Sequence, residues 1–150
     1  MARRGVRLVV IGDREPLPSD VRETIEKFEQ ATAHNDQLTV VIALSYGSRA
    51  EIARAARQIA AEAALGELDP RLVDEELFAT RLYTARIPDP DLLIRTSGEQ
   101  RISNFLLWQI AYAELVFSDL YWPDFDRAAL ADAIADYRKR DRRFGGRRAS

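Results

Sequence analysis

These residues predict an α/β domain built on a mainly parallel sheet flanked by helices. Three observations support that class. Apolar runs at 6–11, 38–44 and 91–96 alternate with segments of helical periodicity. The runs are near-continuously apolar, as expected of strands covered on both faces. Each run ends in a polar or glycine-containing turn.

The first run, Val6 to Ile11, reads as a buried strand ending at Gly12-Asp13. Glu15-Pro16-Leu17-Pro18 is a loop, and a helix starts near Ser19 or Asp20. Asp20 and Glu23 have capping-box spacing, and Val21, Ile25 and Phe28 follow at helical intervals. Asn35-Asp36 turns the chain into a second strand, Leu38 to Leu44. After Ser45-Tyr46-Gly47, Ser48 and Glu51 form another capping box. They open an alanine-rich helix with Ile52, Ala56, Ile59 and Ala63 on its inner face and Gly66 as its stop.

A shorter helix is expected over about Val73 to Leu82, ahead of Ile87-Pro88-Asp89-Pro90. Asp91 to Thr96 is the third strand, followed by the loop Ser97-Gly98-Glu99-Gln100. A short helix is expected from Phe105 to Tyr112, then a fourth strand from Glu114 to Phe117. Trp122-Pro123 interrupts the chain. The last helix runs from about Asp126, with Leu130, Ile134 and Tyr137 as its apolar stripe. Residues 138–150 form a basic tail, in which Arg138, Lys139, Arg140, Arg142, Arg143, Arg147 and Arg148 face one acid, Asp141.

Length and composition restrict the function classes. The chain has 150 residues, which suggests a single domain, 1–150. Hydrophobic residues at 47% and a net charge of −2 exclude disorder over the whole chain. No apolar run approaches the ~20 residues of a membrane span, and the N-terminus has too little for a cleaved signal peptide. A cytoplasmic protein with at most peripheral membrane contact is the expectation. There is no cysteine, so thiol nucleophiles and zinc-thiolate sites are excluded. The one histidine, His34, beside a polar turn, reads as simply exposed. The tail lacks interleaved aromatics apart from Tyr137 and Phe144, and the chain is acidic. A solvated helix end, stabilised by cations at its negative dipole, explains the tail better than nucleic-acid binding does.

Open α/β sheets bind ligands beyond the carboxyl ends of their strands. Four places qualify: Gly12-Asp13, Ser45 to Arg49, Arg95 to Ser103, and the residues after Phe117. The third is richest. Arg95 closes a strand, Arg101 follows a glycine turn and Ser103 stands near an expected helix start. Two guanidiniums, a hydroxyl and helix-terminal amides are the ingredients of a diphosphate site. Alternatively, these are surface arginines paired with Glu99 and Asp91. Glu114 lies in the apolar stretch Ala111-Tyr112-Ala113-Glu114-Leu115. It is either paired with an arginine or binding a hard cation such as Mg²⁺, which takes carboxylate and phosphate oxygens. Neither G-x-G-x-x-G nor G-x-x-x-x-G-K-[ST] occurs.

From Asp89-Pro90-Asp91-Leu92-Leu93-Ile94-Arg95-Thr96-Ser97-Gly98-Glu99 the sequence becomes recognisable. The likeness continues through Arg101-Ile102-Ser103-Asn104-Phe105-Leu106-Leu107-Trp108-Gln109-Ile110-Ala111-Tyr112-Ala113-Glu114-Leu115 and Trp122-Pro123-Asp124-Phe125 to Arg142-Arg143-Phe144-Gly145-Gly146. With Arg7 to Asp13 and Ala43 to Arg49, it spans essentially the whole chain. It resembles the cis-prenyltransferases, the undecaprenyl (or decaprenyl) diphosphate synthase family.

That resemblance implies an enzyme that condenses isopentenyl diphosphate with an allylic diphosphate such as farnesyl diphosphate. It implies Mg²⁺ as cofactor and a homodimer as the working form. Arg95, Arg101 and Ser103 would hold the diphosphate of isopentenyl diphosphate, and Glu114 would help bind Mg²⁺. Arg143 and Gly145 would belong to the C-terminal R-x-G element that reaches the partner subunit's isopentenyl site. Family members are longer at the N-terminus, where a first strand and a D-G-N-G-R-W-A loop supply the aspartate that works with Mg²⁺ on the allylic diphosphate. No Asp-Gly-Asn-Gly occurs here, and Asp13 matches a later Gly-Asp of the family. The expectation is therefore an N-terminally incomplete domain that carries the isopentenyl half of the site. Catalysis would require the remaining portion, on the same chain or a partner. The alternative is a non-catalytic subunit that binds isopentenyl diphosphate or dimerises.

Overall fold

The computed structural model describes residues 5–140. They fall into two compact units, one running through Ile87 and the other beginning at Pro88. The junction carries Pro88 and Pro90, which lack the backbone donor a helix needs.

The first unit contains β1 (Val6–Ile11), α1 (Ser19–Thr32), β2 (Leu38–Ala43), α2 (Ser48–Ala64), a 3₁₀ turn at Pro70–Leu72 and α3 (Glu75–Ala79). β1 and β2 pair in parallel, from Val6 opposite Leu38 to Ile11 opposite Ala43. Val10, Ile11, Ile25, Ala55, Ile59 and Leu82 are buried. The parallel pairing follows the expectation, but the covering of both faces does not. On β2, Leu38 is 57% exposed and Ile42 46%. The strand has the apolar content of a sheet centre and, among the described residues, one strand beside it.

Neither expected capping box forms. α1 starts at Ser19 behind Pro18, with no side-chain cap. Asp20 thus lies inside the first turn, where an acid still favours the positive helix end. α2 is capped by Gly47, and Ser48 is its first, fully buried residue. Its inner face is also turned from the expected one. Ile59 is buried as expected, but it is joined by Ser48, Glu51 and Ala55 in place of Ile52, Ala56 and Ala63. The cause is Glu51, only 1% exposed. Its carboxylate accepts hydrogen bonds from the Tyr46 hydroxyl (2.6 Å) and the Tyr83 backbone N–H (2.7 Å). A buried charge is tolerable only with such donors, and these draw the acidic side of the helix inward. Gly66 ends α2 as expected: at φ +75° it lets its own N–H reach Ala63 O and the Glu67 N–H reach Glu62 O.

The second unit contains β3 (Leu92–Arg95), β4 (Glu114–Phe117), a 3₁₀ turn at Trp122–Asp124 and α4 (Arg127–Arg138). β3 and β4 are parallel, from Leu92 opposite Glu114 to Arg95 opposite Phe117. Asp126 caps α4, its carboxylate accepting from the Ala129 N–H at 2.9 Å. Ala133 is the buried residue of α4, while Leu130 of the expected stripe is 42% exposed.

The helix expected over Phe105–Tyr112 is absent; the segment runs as a series of turns. Ser103, Asn104 and Leu106 all have φ between +47° and +62°. A right-handed helix cannot start through residues in that region.

Candidate functional site

The third of the four candidate places is an ordered loop of unusual backbone. β3 delivers Arg95 at its carboxyl end. The Ser118 N–H donates to Arg95 O (2.8 Å), the Gly98 N–H to Ser118 O (2.9 Å) and the Ser97 N–H to Leu120 O (2.7 Å). These bonds fasten the start of the loop to the end of β4. Ser97 and Gly98 lie at φ +71° and +68°. At Ile102–Phe105 the Phe105 N–H closes on Ile102 O at 3.0 Å, with Ser103 and Asn104 both left-handed, as a type I′ turn requires. Four of the five described non-glycine residues with positive φ fall between Ser97 and Leu106; the fifth is Ser45. Each costs of order 1–3 kcal/mol, and such strain gathers at ligand-binding segments.

The two arginines of this loop differ in state. Arg101 is exposed and ion-paired with Glu99. That pairing is the one a purely surface role predicts. Arg95 is not paired with Asp91 or with any other described acid. Its Nε is buried with no hydrogen-bond partner, although the residue as a whole is half-exposed. A buried donor without an acceptor costs ~1–3 kcal/mol, a penalty an incoming anion would relieve. Ser103, the third expected contact, is exposed on its turn. Arg95, Arg101 and Ser103 thus share one loop system after β3. Arg143 and Gly145 lie outside the described residues.

Glu114 is elsewhere. It opens β4 opposite Leu92, three residues before Arg95, so it sits about 10 Å back along the strands. Its carboxylate accepts from Arg140 Nη1 at 3.0 Å. Arg140 also donates to Leu115 O (2.8 Å) and to Asp136 (2.7 Å). These partners raise the Arg140 pKa above its ordinary value, led by the hydrogen bond to Glu114. The pairing of Glu114 with an arginine was one of the two readings its apolar setting allowed. The identity of the arginine, drawn from the start of the basic tail, carried no sequence signal. Among the described residues no group of three His, Asp or Glu side chains could hold a metal ion. With Glu114 engaged by Arg140, these residues do not by themselves make a Mg²⁺ site.

The other three places are weaker anion sites. At the end of β1, an open cleft contains Asp13, Arg14, Glu15 and Glu29. Its arginine is already bound to Glu29 and to Val10 O, both at 2.9 Å. After β2, Tyr46 is committed to Glu51. After β4, the cleft is lined by apolar residues with Ser118, Asp132 and Asp136, and no arginine or lysine lines it. No described helix is long and apolar enough to cross a membrane.

Comparisons with known proteins identify the family. The family model described as "Putative undecaprenyl diphosphate synthase" matches residues 1–145. Isoprenyl transferase 2 of Bradyrhizobium diazoefficiens is 54% identical over 144 residues, covering 96% of this chain and 57% of that protein. The isoprenyl transferase of Agrobacterium fabrum is 54% identical over 143 residues, covering 95% and 58%. Among solved structures, lavandulyl diphosphate synthase from Lavandula x intermedia, in complex with dimethylallyl diphosphate, superposes with a TM-score of 0.90. It is 42% identical, over 93% of this chain and 60% of that one. The chain therefore spans somewhat over half the length of the relatives it matches. With the family model covering nearly every residue and relatives this similar, the chain belongs to the undecaprenyl diphosphate synthase family of cis-prenyltransferases.

Proposed function

We propose that the chain supplies the isopentenyl diphosphate half of a cis-prenyltransferase. The single observation that carries this reading is Arg95, a strand-end arginine with a buried, unmatched Nε beside a strained polar loop. In the proposed reaction the allylic carbon–oxygen bond breaks and diphosphate leaves. Isopentenyl diphosphate forms the new carbon–carbon bond through its terminal alkene carbon and loses a proton. The chain's own contribution is to bind and orient the acceptor. Arg95 donates to its diphosphate from the strand end. Arg101 exchanges its Glu99 partner for a phosphate oxygen, and the Ser103 hydroxyl donates a further bond. Fixed donors of this kind place the alkene without reorganising at the moment of reaction. Arg143 and Gly145 are proposed to act on a partner's isopentenyl site.

Mg²⁺ would supply neutralisation of the departing diphosphate. Glu114 can offer it one carboxylate once released by Arg140, with the other ligands coming from outside the described residues. The allylic substrate, a single incomplete domain over 1–150, a homodimeric or complemented working form and a cytoplasmic location belong to the same proposal. Its support is family membership and a structural relative whose complex holds an allylic diphosphate.

A second reading, a non-catalytic binding or dimerisation subunit, is favoured by one observation: Glu114 is held by an arginine. Turnover assays with farnesyl diphosphate, isopentenyl diphosphate and Mg²⁺ separate the two readings. Activity that appears only with the rest of the family fold supports the enzymatic one. Binding without turnover even in that complete assembly supports the other.

A further inference from the structure

One cavity of the first unit is lined by two arginines and by no acid. It holds about 300 Å³, the low end of the range for small-ligand pockets. Arg7, Thr39 and Arg86 line it, with Val9, Tyr83 and Ile87 as apolar wall. Arg7 of β1 stands opposite Thr39 of β2, and directly opposed residues share a face of the sheet. Alternation puts the exposed Leu38 and Ile42 on the other face. Arg86 comes from the segment after α3, which is fastened at several points. The Tyr83 N–H donates to buried Glu51 at 2.7 Å, and the Arg54 guanidinium lies 4.2 Å from the Tyr83 ring centroid. The Ala85 N–H closes on Leu82 O (3.3 Å) and the Ile87 N–H on Thr84 O (2.8 Å). The donors therefore stand on a sheet and on a hydrogen-bonded turn, which lowers the ordering cost of binding.

All three polar residues are exposed. Among the described residues, the Arg7 and Arg86 guanidiniums and the Thr39 hydroxyl have no hydrogen-bond or ion-pair partner. The other clefts differ. The arginine at the end of β1 is neutralised by Glu29, beside Asp13 and Glu15. The cleft after β4 carries Asp132 and Asp136. Two unneutralised guanidiniums around one cavity favour an anion between them. The geometry also selects among anions. One guanidinium fork satisfies both oxygens of a carboxylate, whereas a phosphate has oxygens enough for two forks and a hydroxyl.

We propose that Arg7, Thr39 and Arg86 form a phosphate-binding site, which takes the phosphate group of an ester whose organic part is apolar. A lipid headgroup and a small phosphate ester share that chemistry. The proposal does not rest on the function proposed above. Its residues belong to the first unit, whereas Arg95, Arg101 and Ser103 belong to the second.

Titration of the chain with inorganic phosphate, followed by backbone amide chemical shifts at constant ionic strength, tests it. The amides of Thr39, Ala85 and Arg86 should shift saturably, and acetate should leave them in place. Arg7→Gln and Arg86→Gln should each weaken that response about 10-fold, as expected for one charged hydrogen bond. Both substitutions fall on exposed side chains, and circular dichroism confirms that each variant is folded. Sedimentation with vesicles of equal parts phosphatidylglycerol and phosphatidylcholine separates the two sources. Vesicle binding that either substitution weakens identifies a lipid headgroup. Phosphate-induced shifts without such vesicle binding identify a small ester. Three results would overturn the proposal: the three amides unmoved by millimolar phosphate while vesicle binding ignores both substitutions, acetate acting as strongly as phosphate, or both variants responding like wild type.

Discussion

Replacing Arg95 by methionine should move stability and ligand binding in opposite directions. In the free protein the Arg95 Nε is a buried donor with no acceptor. Such a group costs ~1–3 kcal/mol, and partial exposure of the residue places the cost at the lower end, about 1 kcal/mol. Methionine keeps an unbranched stem and removes the donor, so R95M should unfold at higher urea, with a gain of about 1 kcal/mol. The charged hydrogen bonds lost to a diphosphate are worth ~1.5–3 kcal/mol, which weakens isopentenyl diphosphate about 10- to 150-fold. Urea unfolding followed by circular dichroism, with calorimetric titration on the same samples, measures both. A structural arginine behaves in the reverse way. If R95M lost more than about 1 kcal/mol of stability and bound isopentenyl diphosphate as tightly as wild type, the reasoning would be refuted.

Three further outcomes follow from the same geometry. Arg101→Ala should weaken isopentenyl diphosphate by about 1.5 kcal/mol, the low end for a charged hydrogen bond, because Arg101 is exposed; superimposable titrations would remove it from the pocket. Glu114→Gln in a completed enzyme should raise the Mg²⁺ concentration needed for half-maximal turnover, while costing no more than about 1 kcal/mol of stability for its half-exposed pair with Arg140; identical Mg²⁺ curves would exclude the metal role. The hydrogen bond from Arg81 holds the Glu62 carboxyl below its ordinary value of 4.5, outweighing the opposing effect of burial. Because the folded value is depressed, this pair stabilises fully above the ordinary value and loses its contribution as pH falls through the folded one. Arg81→Met should flatten the acid limb of the urea-midpoint profile, and an unchanged limb would count against the pairing.

Much of the fold could be read from local pattern, and the misses share a cause. β1 and β4 occupy the expected residues because their apolar runs are bounded by clear punctuation. The Gly66 stop is legible because only glycine takes that conformation cheaply. The Phe105–Tyr112 helix fails on Ser103, Asn104 and Leu106, whose left-handed backbones no periodicity reveals. The inner face of α2 is set by two long-range donors, Tyr46 and the Tyr83 N–H, which recruit Glu51 over the aliphatic face. The site shows the same division. Arg95 could be located from its place at a strand end, whereas its unmatched Nε and the capture of Glu114 by Arg140 are tertiary facts.

The most direct test of the isopentenyl half-site is equilibrium binding of isopentenyl diphosphate to the purified, folded chain, with inorganic diphosphate as competitor. Saturable binding that the competitor displaces, and that R95M loses, is the expected result. A folded chain that fails to bind isopentenyl diphosphate at millimolar concentration would contradict it.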